Sequence, residues 1–174
     1  MRRWSLALSL AAVLGAQTAA GEAHARTTFR FTANLPYAEA FPLFGAWGEQ
    51  KWAADWKPRF VYPNPAEDRE GAVFLVDHGP HSSVWTTTRF DIRTGQVQYV
   101  FVLDQLVVTR IDIRVQARGA GQTDVSVTYE RTALTTEGAE HVRALAKQDG
   151  RAAEEWRDAI NAYAARGRTG EPRP

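Results

Sequence analysis

Arg131 and Asp149 are the pair of residues in this chain whose types and positions best suit joint chemistry. Arg131 continues the inward face of an alternating stretch, Val125, Val127 and Tyr129. Asp149 is the one acid in a helical stripe of Val142, Leu145, Ala152, Ala153, Trp156, Ile160 and Tyr163. The two faces should meet. There the pair could orient a carboxylate or hydroxyl of a ligand, or the two could satisfy each other, because an ion pair with one buried partner removed costs ~3–5 kcal/mol. With Tyr129 they are also the candidates for acid–base chemistry if the protein is an enzyme.

The second chemical resource is aromatic. Trp47, Trp52, Trp56, Phe60, Tyr62, Phe74, Trp85, Tyr99, Phe101, Tyr129 and Trp156 are spread through the organised region. Such rings line cavities for apolar ligands, with a few polar groups for orientation, and they also fill ordinary cores. Face and position select Tyr99, Phe101, Ile113, Tyr129 and Trp156 as lining residues, with Trp85 added although the two faces of its strand are hard to tell apart.

Other motifs point to no chemistry. Asp77-His78-Gly79-Pro80-His81 gathers possible metal ligands, but a Gly-Pro turn explains it without a metal, and none is expected. His141 reads as a solvated surface histidine. There is no Ser-His-Asp order, no phosphate-cradling glycine loop and no zinc helix, so no cofactor is expected. Gly119-Ala120-Gly121 is a hairpin turn.

The elements that would position these residues are legible as patterns. Thr27–Ala33, Arg59–Tyr62, Ala72–Asp77, Ser82–Phe90, Gln96–Leu103, Leu106–Ala117 and Gln122–Thr132 read as strands. Within Leu106–Ala117, Val107, Thr109, Ile111, Ile113, Val115 and Ala117 oppose Arg110, Asp112, Arg114 and Gln116, so the first set should point inward. Pro36 suits the first turn of a helix, and Leu43 to about Trp52 reads as a short aromatic helix ending before Pro58. A long helix from about Glu137 to Ala165 should cover the sheet, with Gly150 marking a bend or a close approach to its backbone. The expectation is an α+β, helix-grip protein: a curved antiparallel β-sheet wrapped around a long C-terminal α-helix, with short helices after the first strand.

At 174 residues, 44% hydrophobic and 24% charged, the chain suits one domain. Arg2 and Arg3 precede the apolar run Leu6–Gly15 and the small residues Ala23-His24-Ala25, which reads as a cleavable signal peptide over 1–25, with Ala20 as the alternative cleavage site. The run is shorter than the ~20 residues of a membrane span. The domain is then 26–166, with a polar tail over 167–174, and the protein is periplasmic or secreted. Removing 1–25 takes away two arginines and Glu22 and leaves 19 basic and 19 acidic residues, a balance that argues against nucleic acid as a partner. The absence of cysteine removes disulfides, thiolate metal sites and a thioether lipid anchor, so no stable membrane anchor is expected.

Val127-Thr-Tyr-Glu-Arg-Thr-Ala-Leu-Thr-Thr-Glu-Gly, leading into a helix with Trp156 and Ile160, resembles the START-related or Bet v 1-like superfamily, also called SRPBCC. Trp52…Trp56-Lys-Pro-Arg-Phe-Val-Tyr-Pro, Glu70-Gly-Ala-Val-Phe and Val84-Trp85 are further matching pieces, most like those of uncharacterised bacterial members. The resemblance implies a helix-grip fold around a hydrophobic cavity. Members carry lipids, sterols, polyketides or plant hormones, and some are cyclases, dehydratases, hydrolases or co-chaperones. It implies no universal catalytic residues. The expected partner is a hydrophobic or amphipathic small molecule, bound by Tyr99, Phe101, Ile113, Tyr129, Arg131, Asp149, Trp156 and Trp85; an enzyme of the polyketide cyclase or dehydratase type is the alternative.

Overall fold

The computed structural model describes residues 23–169, so most of the expected signal peptide, residues 1–22, and the end of the expected tail, residues 170–174, lie outside the described residues. Seven strands form one antiparallel sheet: β1 (His24–Ala33), β2 (Arg59–Tyr62), β3 (Val73–His78), β4 (His81–Asp91), β5 (Gln96–Leu103), β6 (Val107–Arg118) and β7 (Gln122–Ala133). Their spatial order is β1-β7-β6-β5-β4-β3-β2. Six strands therefore meander, and the first pairs with the last. Register shifts at Phe60/Tyr62 and Thr87/Arg89 break the ladders there, and such bulges bend a strand and increase its twist.

One long helix, α3 (Thr136–Thr169), packs against β1, β7 and β6. Thr135 starts it by accepting a hydrogen bond from Gly138 N–H on its side-chain oxygen at 3.0 Å, one of the donors that a helix N-terminus leaves without a partner. Gly138 also lets this first turn press on the β5–β6 turn, since a Cβ there would stand 2.0 Å from the Leu106 carbonyl oxygen. The helix runs on through Gly150, where a Cβ would meet nothing within 4 Å. Gly150 therefore marks neither a helix break nor a close approach.

The inward face of β6 holds Val107, Thr109, Ile111, Ile113 and Val115 as expected, but Ala117 is exposed because the strand has run past the core. The chain between β1 and β2 is less regular than the expected Leu43–Trp52 helix. It consists of α1 (Tyr37–Ala40), a 3-10 turn (Phe41–Phe44) and α2 (Ala46–Glu49). Gly45 interrupts it in extended geometry. Two close approaches explain the break. A Cβ on Gly45 would overlap the Asp68 carboxylate, and one on Gly48 would lie 1.8 Å from the Pro42 carbonyl oxygen. Asp68 closes α2 by accepting from Trp47 N–H at 2.8 Å and Gly48 N–H at 3.0 Å, which ties this segment to the loop before β3. No helix among the described residues is long and apolar enough to cross a membrane.

Candidate ligand-binding cavity

Sheet register sets the rings and charges of the concave face in rows. Thr87, Tyr99, Ile111 and Tyr129 are successive cross-strand partners, and beside them run Trp85, Phe101, Thr109 and Arg131. The α2 segment supplies a third wall. Trp52 N–H and Ala53 N–H donate to the Glu49 carbonyl, and Trp56 N–H to the Ala53 carbonyl, so helical turns bring Glu49, Trp52, Ala53 and Trp56 to one side. Trp156 descends from α3 to meet them, with ring centroids 5.2 Å from Trp52 and 5.6 Å from Phe29.

Two adjoining chambers result. The inner one, about 180 Å³, is lined by Glu49, Trp52, Ala53, Trp56, Trp85, Tyr99, Ile111, Ile113, Tyr129 and Trp156. The outer one, about 300 Å³, shares Trp56, Trp85, Ile111 and Tyr129 with it and adds Phe101, Arg131, Leu145, Gln148, Asp149, Ala152 and Glu155. All eight residues singled out in the sequence lie on these walls, Trp85 included. Trp85 is inward because Ser83 and Thr87, on the same side of β4, are buried too. Ser83 is tolerated there because its hydroxyl donates to the Val76 carbonyl and accepts from the Trp85 indole N–H.

Arg131 and Asp149 meet and satisfy each other. Nη1 and Nη2 donate to the two carboxylate oxygens at 2.6 and 3.0 Å, with side-chain exposures of 6% and 7%. The Arg131 guanidinium also lies 4.3 Å from the Tyr129 ring centroid, within cation–π range. This fork-to-fork pairing consumes both oxygens of Asp149, so of the two alternatives for the pair the structure realises the ion pair.

The donors of three other lining rings are also committed. Trp52 donates to the Leu43 carbonyl, Trp56 to the Ala46 carbonyl and Tyr99 to the Phe44 carbonyl, each at 2.8 Å. Burial raises both Tyr99 and Tyr129 well above the ordinary phenol range, so both stay protonated.

Glu49 is the group that sequence reasoning missed. Its half-buried carboxyl stands on the wall of the inner chamber. Burial, with help from the Asp68 charge, pushes its pKa up to about 8. The available signal was its spacing of three and seven residues before Trp52 and Trp56, which puts an acid on an aromatic helical side. The histidines lie elsewhere: His81 Nδ1 is 2.7 Å from Asp104, and the His141 ring centroid stands 5.4 Å from that of His81. Among the described residues no group of three His, Asp or Glu side chains is arranged to hold a metal.

The sequence matches no protein-family model. It matches no curated protein either. Solved structures do match. Norcoclaurine synthase from Thalictrum flavum, in complex with dopamine and hydroxybenzaldehyde, is 12% identical over 95% of this chain and 97% of that one, with a TM-score of 0.60. Ara h 8.0201 is 17% identical over 80% and 97%, with a TM-score of 0.57. The Zhui aromatase/cyclase from Streptomyces sp. R1128 is 16% identical over 82% and 94%, with a TM-score of 0.54. At such identities the likeness is one of fold.

Proposed function

We propose, from the Bet v 1-like helix-grip fold that this chain shares with those structures, that the protein binds a small amphipathic aromatic molecule in the cavity between sheet and α3. The observation that carries this reading is the inner chamber, walled by Trp52, Trp56, Trp85, Tyr99, Tyr129 and Trp156 around a single carboxyl. Its size favours an aromatic molecule over a long-chain lipid. A cavity of ~150 Å³ takes a benzene ring, and the inner chamber of about 180 Å³ is of that order. The outer chamber, about 300 Å³, leaves room on the same scale for about two further rings or a substituent of that bulk.

We place this binding outside the cytoplasm, after removal of the leader. Cleavage after Ala20 suits the domain better than cleavage after Ala25, because His24 and Ala25 pair with Thr132 and Arg131 in the β1–β7 ladder. Native mass spectrometry of the exported protein tests both statements. A mature N-terminus at Gly21 and a discrete apolar adduct, released by solvent, are expected. An unprocessed chain would overturn the export reading. A bare mass, with tryptophan emission unmoved by any aromatic probe, would overturn the binding reading.

Trp156→Ala separates lining from plain core. Trp156 is half-buried and faces the chamber, so the variant should lose less than the ~3–5 kcal/mol of a fully buried tryptophan while ligand affinity falls at least tenfold. Denaturant unfolding and a binding titration on the same sample decide it; unchanged affinity would assign the ring to the core.

One observation favours the alternative of an enzyme of the cyclase or dehydratase type: Glu49, an acid with its pKa near neutrality on the cavity wall, can give or take a proton. A carrier returns its ligand unchanged. An enzyme would return product, and Glu49→Gln would then abolish turnover.

A further inference from the structure

The chargeable groups of the inner chamber are of one sign. The indole N–H groups of Trp52 and Trp56 and the hydroxyl of Tyr99 are spent on backbone carbonyls, and that of Trp85 on Ser83. The guanidinium of Arg131, on the outer chamber's wall, is held by Asp149. What remains toward the inner chamber is aromatic surface, the indole N–H of Trp156, the hydroxyl of Tyr129, which burial keeps protonated, and one group able to carry charge, the Glu49 carboxyl, which has no hydrogen-bond or ion-pair partner among the described residues. A groove of about 500 Å³ adjoins this chamber through Trp52, Ala53, Trp56 and Trp156. Its charged lining residues are Asp55, Asp77 and Glu155, with no lysine or arginine. The mouth is therefore acidic, and the interior takes the same sign once Glu49 gives up its proton.

We infer that the ligand of this cavity is an organic cation, an aryl or arylalkyl ammonium compound, whose charged head is received by Glu49 among the surrounding rings. The inference rests on the binding reading above and adds the ligand's charge class. Ammonium groups are attracted to the faces of tryptophan and tyrosine, and more strongly when both are desolvated. A carboxylate within the same enclosure supplies the neutralising charge that an isolated buried cation would lack. The acidic groove raises the local concentration of cations at the entrance and repels anions.

Glu49 faces Asp68 from the loop before β3, Tyr99 from β5 and Tyr129 from β7, with Trp156 from α3 and Glu155 at the mouth. Lys51 acts on Asp68 and Arg131 on Tyr129, but neither cation is among the groups that shift Glu49, so none holds its carboxyl ionised in the empty protein. Its pKa of about 8 means that a cation binding near neutrality must displace a proton from it. Affinity for a permanent cation should therefore rise with pH, approaching tenfold per unit below that value and flattening above it.

The test uses the full mature protein, tryptophan fluorescence and two probes of the same shape: benzyltrimethylammonium, permanently charged, and neopentylbenzene, its neutral isostere. At pH 8.5 the cation should bind at least tenfold tighter than the isostere. That advantage should shrink more than fivefold at pH 6.5. Glu49→Gln should bind both probes about equally at either pH. Equal or tighter binding of the neutral probe to the unmodified protein at pH 8.5, or a charge preference that survives in Glu49→Gln, would overturn the inference and leave the cavity reading standing. If neither probe binds, both fall together. The comparison of the two probes on the unmodified protein stands even if the variant fails to fold.

Discussion

Asp149→Ala is expected to lower the free energy of unfolding by about 3–5 kcal/mol, a large share of the stability of a domain this size. The variant leaves the Arg131 guanidinium in a site where it is only 5% exposed, with Nη1 and Nη2 both losing their acceptors. Its Nε already has no hydrogen-bond partner, and neither does the Thr109 hydroxyl on the cross-strand neighbour. The face of Tyr129 offers some compensation through its ring, but it accepts no full hydrogen bond. Replacing both partners with apolar residues of similar volume, Arg131→Met with Asp149→Leu, should recover most of the loss, because the cost lies in the orphaned charge. Denaturant unfolding of the two singles and the double closes the cycle. A loss below about 1 kcal/mol in Asp149→Ala would mean that solvent reaches the guanidinium and that the pair behaves like a surface one.

A second large effect concerns pH. Glu49 has an ordinary value of 4.5 in the unfolded chain and about 8 in the folded protein. Between those values the folded state keeps a proton that the unfolded state has released. Its contribution to stability is therefore complete below about pH 4.5, declines as pH rises, and is gone once pH passes about 8. The slope approaches ~1.4 kcal/mol per pH unit, and a few kcal/mol across the interval is an upper bound because the half-buried carboxyl can be solvated within the cavity. Asp68, also raised by burial, contributes in the same direction, so the comparison must isolate Glu49. Unfolding of the unmodified protein and Glu49→Gln from pH 5 to 8.5 does this. The variant should gain relative stability as pH rises; a difference constant with pH would show that the carboxyl titrates alike in both states.

The contrast between β6 and the α2 segment shows where sequence patterns carry information. On β6, Arg110, Asp112 and Arg114 alternate with Ile111, Ile113 and Val115, so a period of two separates water from core without reference to any other strand. β4 was harder to orient, because its buried face includes Ser83 and Thr87 while Val84 is exposed, and the bulge after Thr87 changes the phase. Its inward polar residues are explained only by partners on other parts of the sheet, such as the Val76 carbonyl. Arg131 and Asp149 were found because each broke an otherwise apolar face. Glu49 escaped because an acid in a short helix ordinarily faces water. What makes it unusual comes from elsewhere: Asp68 lies 19 positions ahead in sequence, and Tyr99 and Tyr129 arrive on distant strands. The division of the expected single helix depends in the same way on the close approach of Asp68 and Pro42 to Gly45 and Gly48.

The pairing of the first strand with the last sets the order in which the sheet can be finished during folding. Thr28 and Thr128 share a hydrogen bond across 100 residues of sequence, whereas β2 reaches β3 through the loop 63–72 and each successive strand from β3 to β7 finds its neighbour through a short turn. The entropy of closing that long loop must be met before the β1–β7 ladder rewards it, and non-local contacts of this kind slow folding. Until β1 docks, β7 presents an open edge from Gln122 to Ala133, with valine and threonine on it, of the kind that recruits other chains. The N-terminal strand thus protects the molecule against self-association as well as completing its wall, and trimming into it would expose that edge.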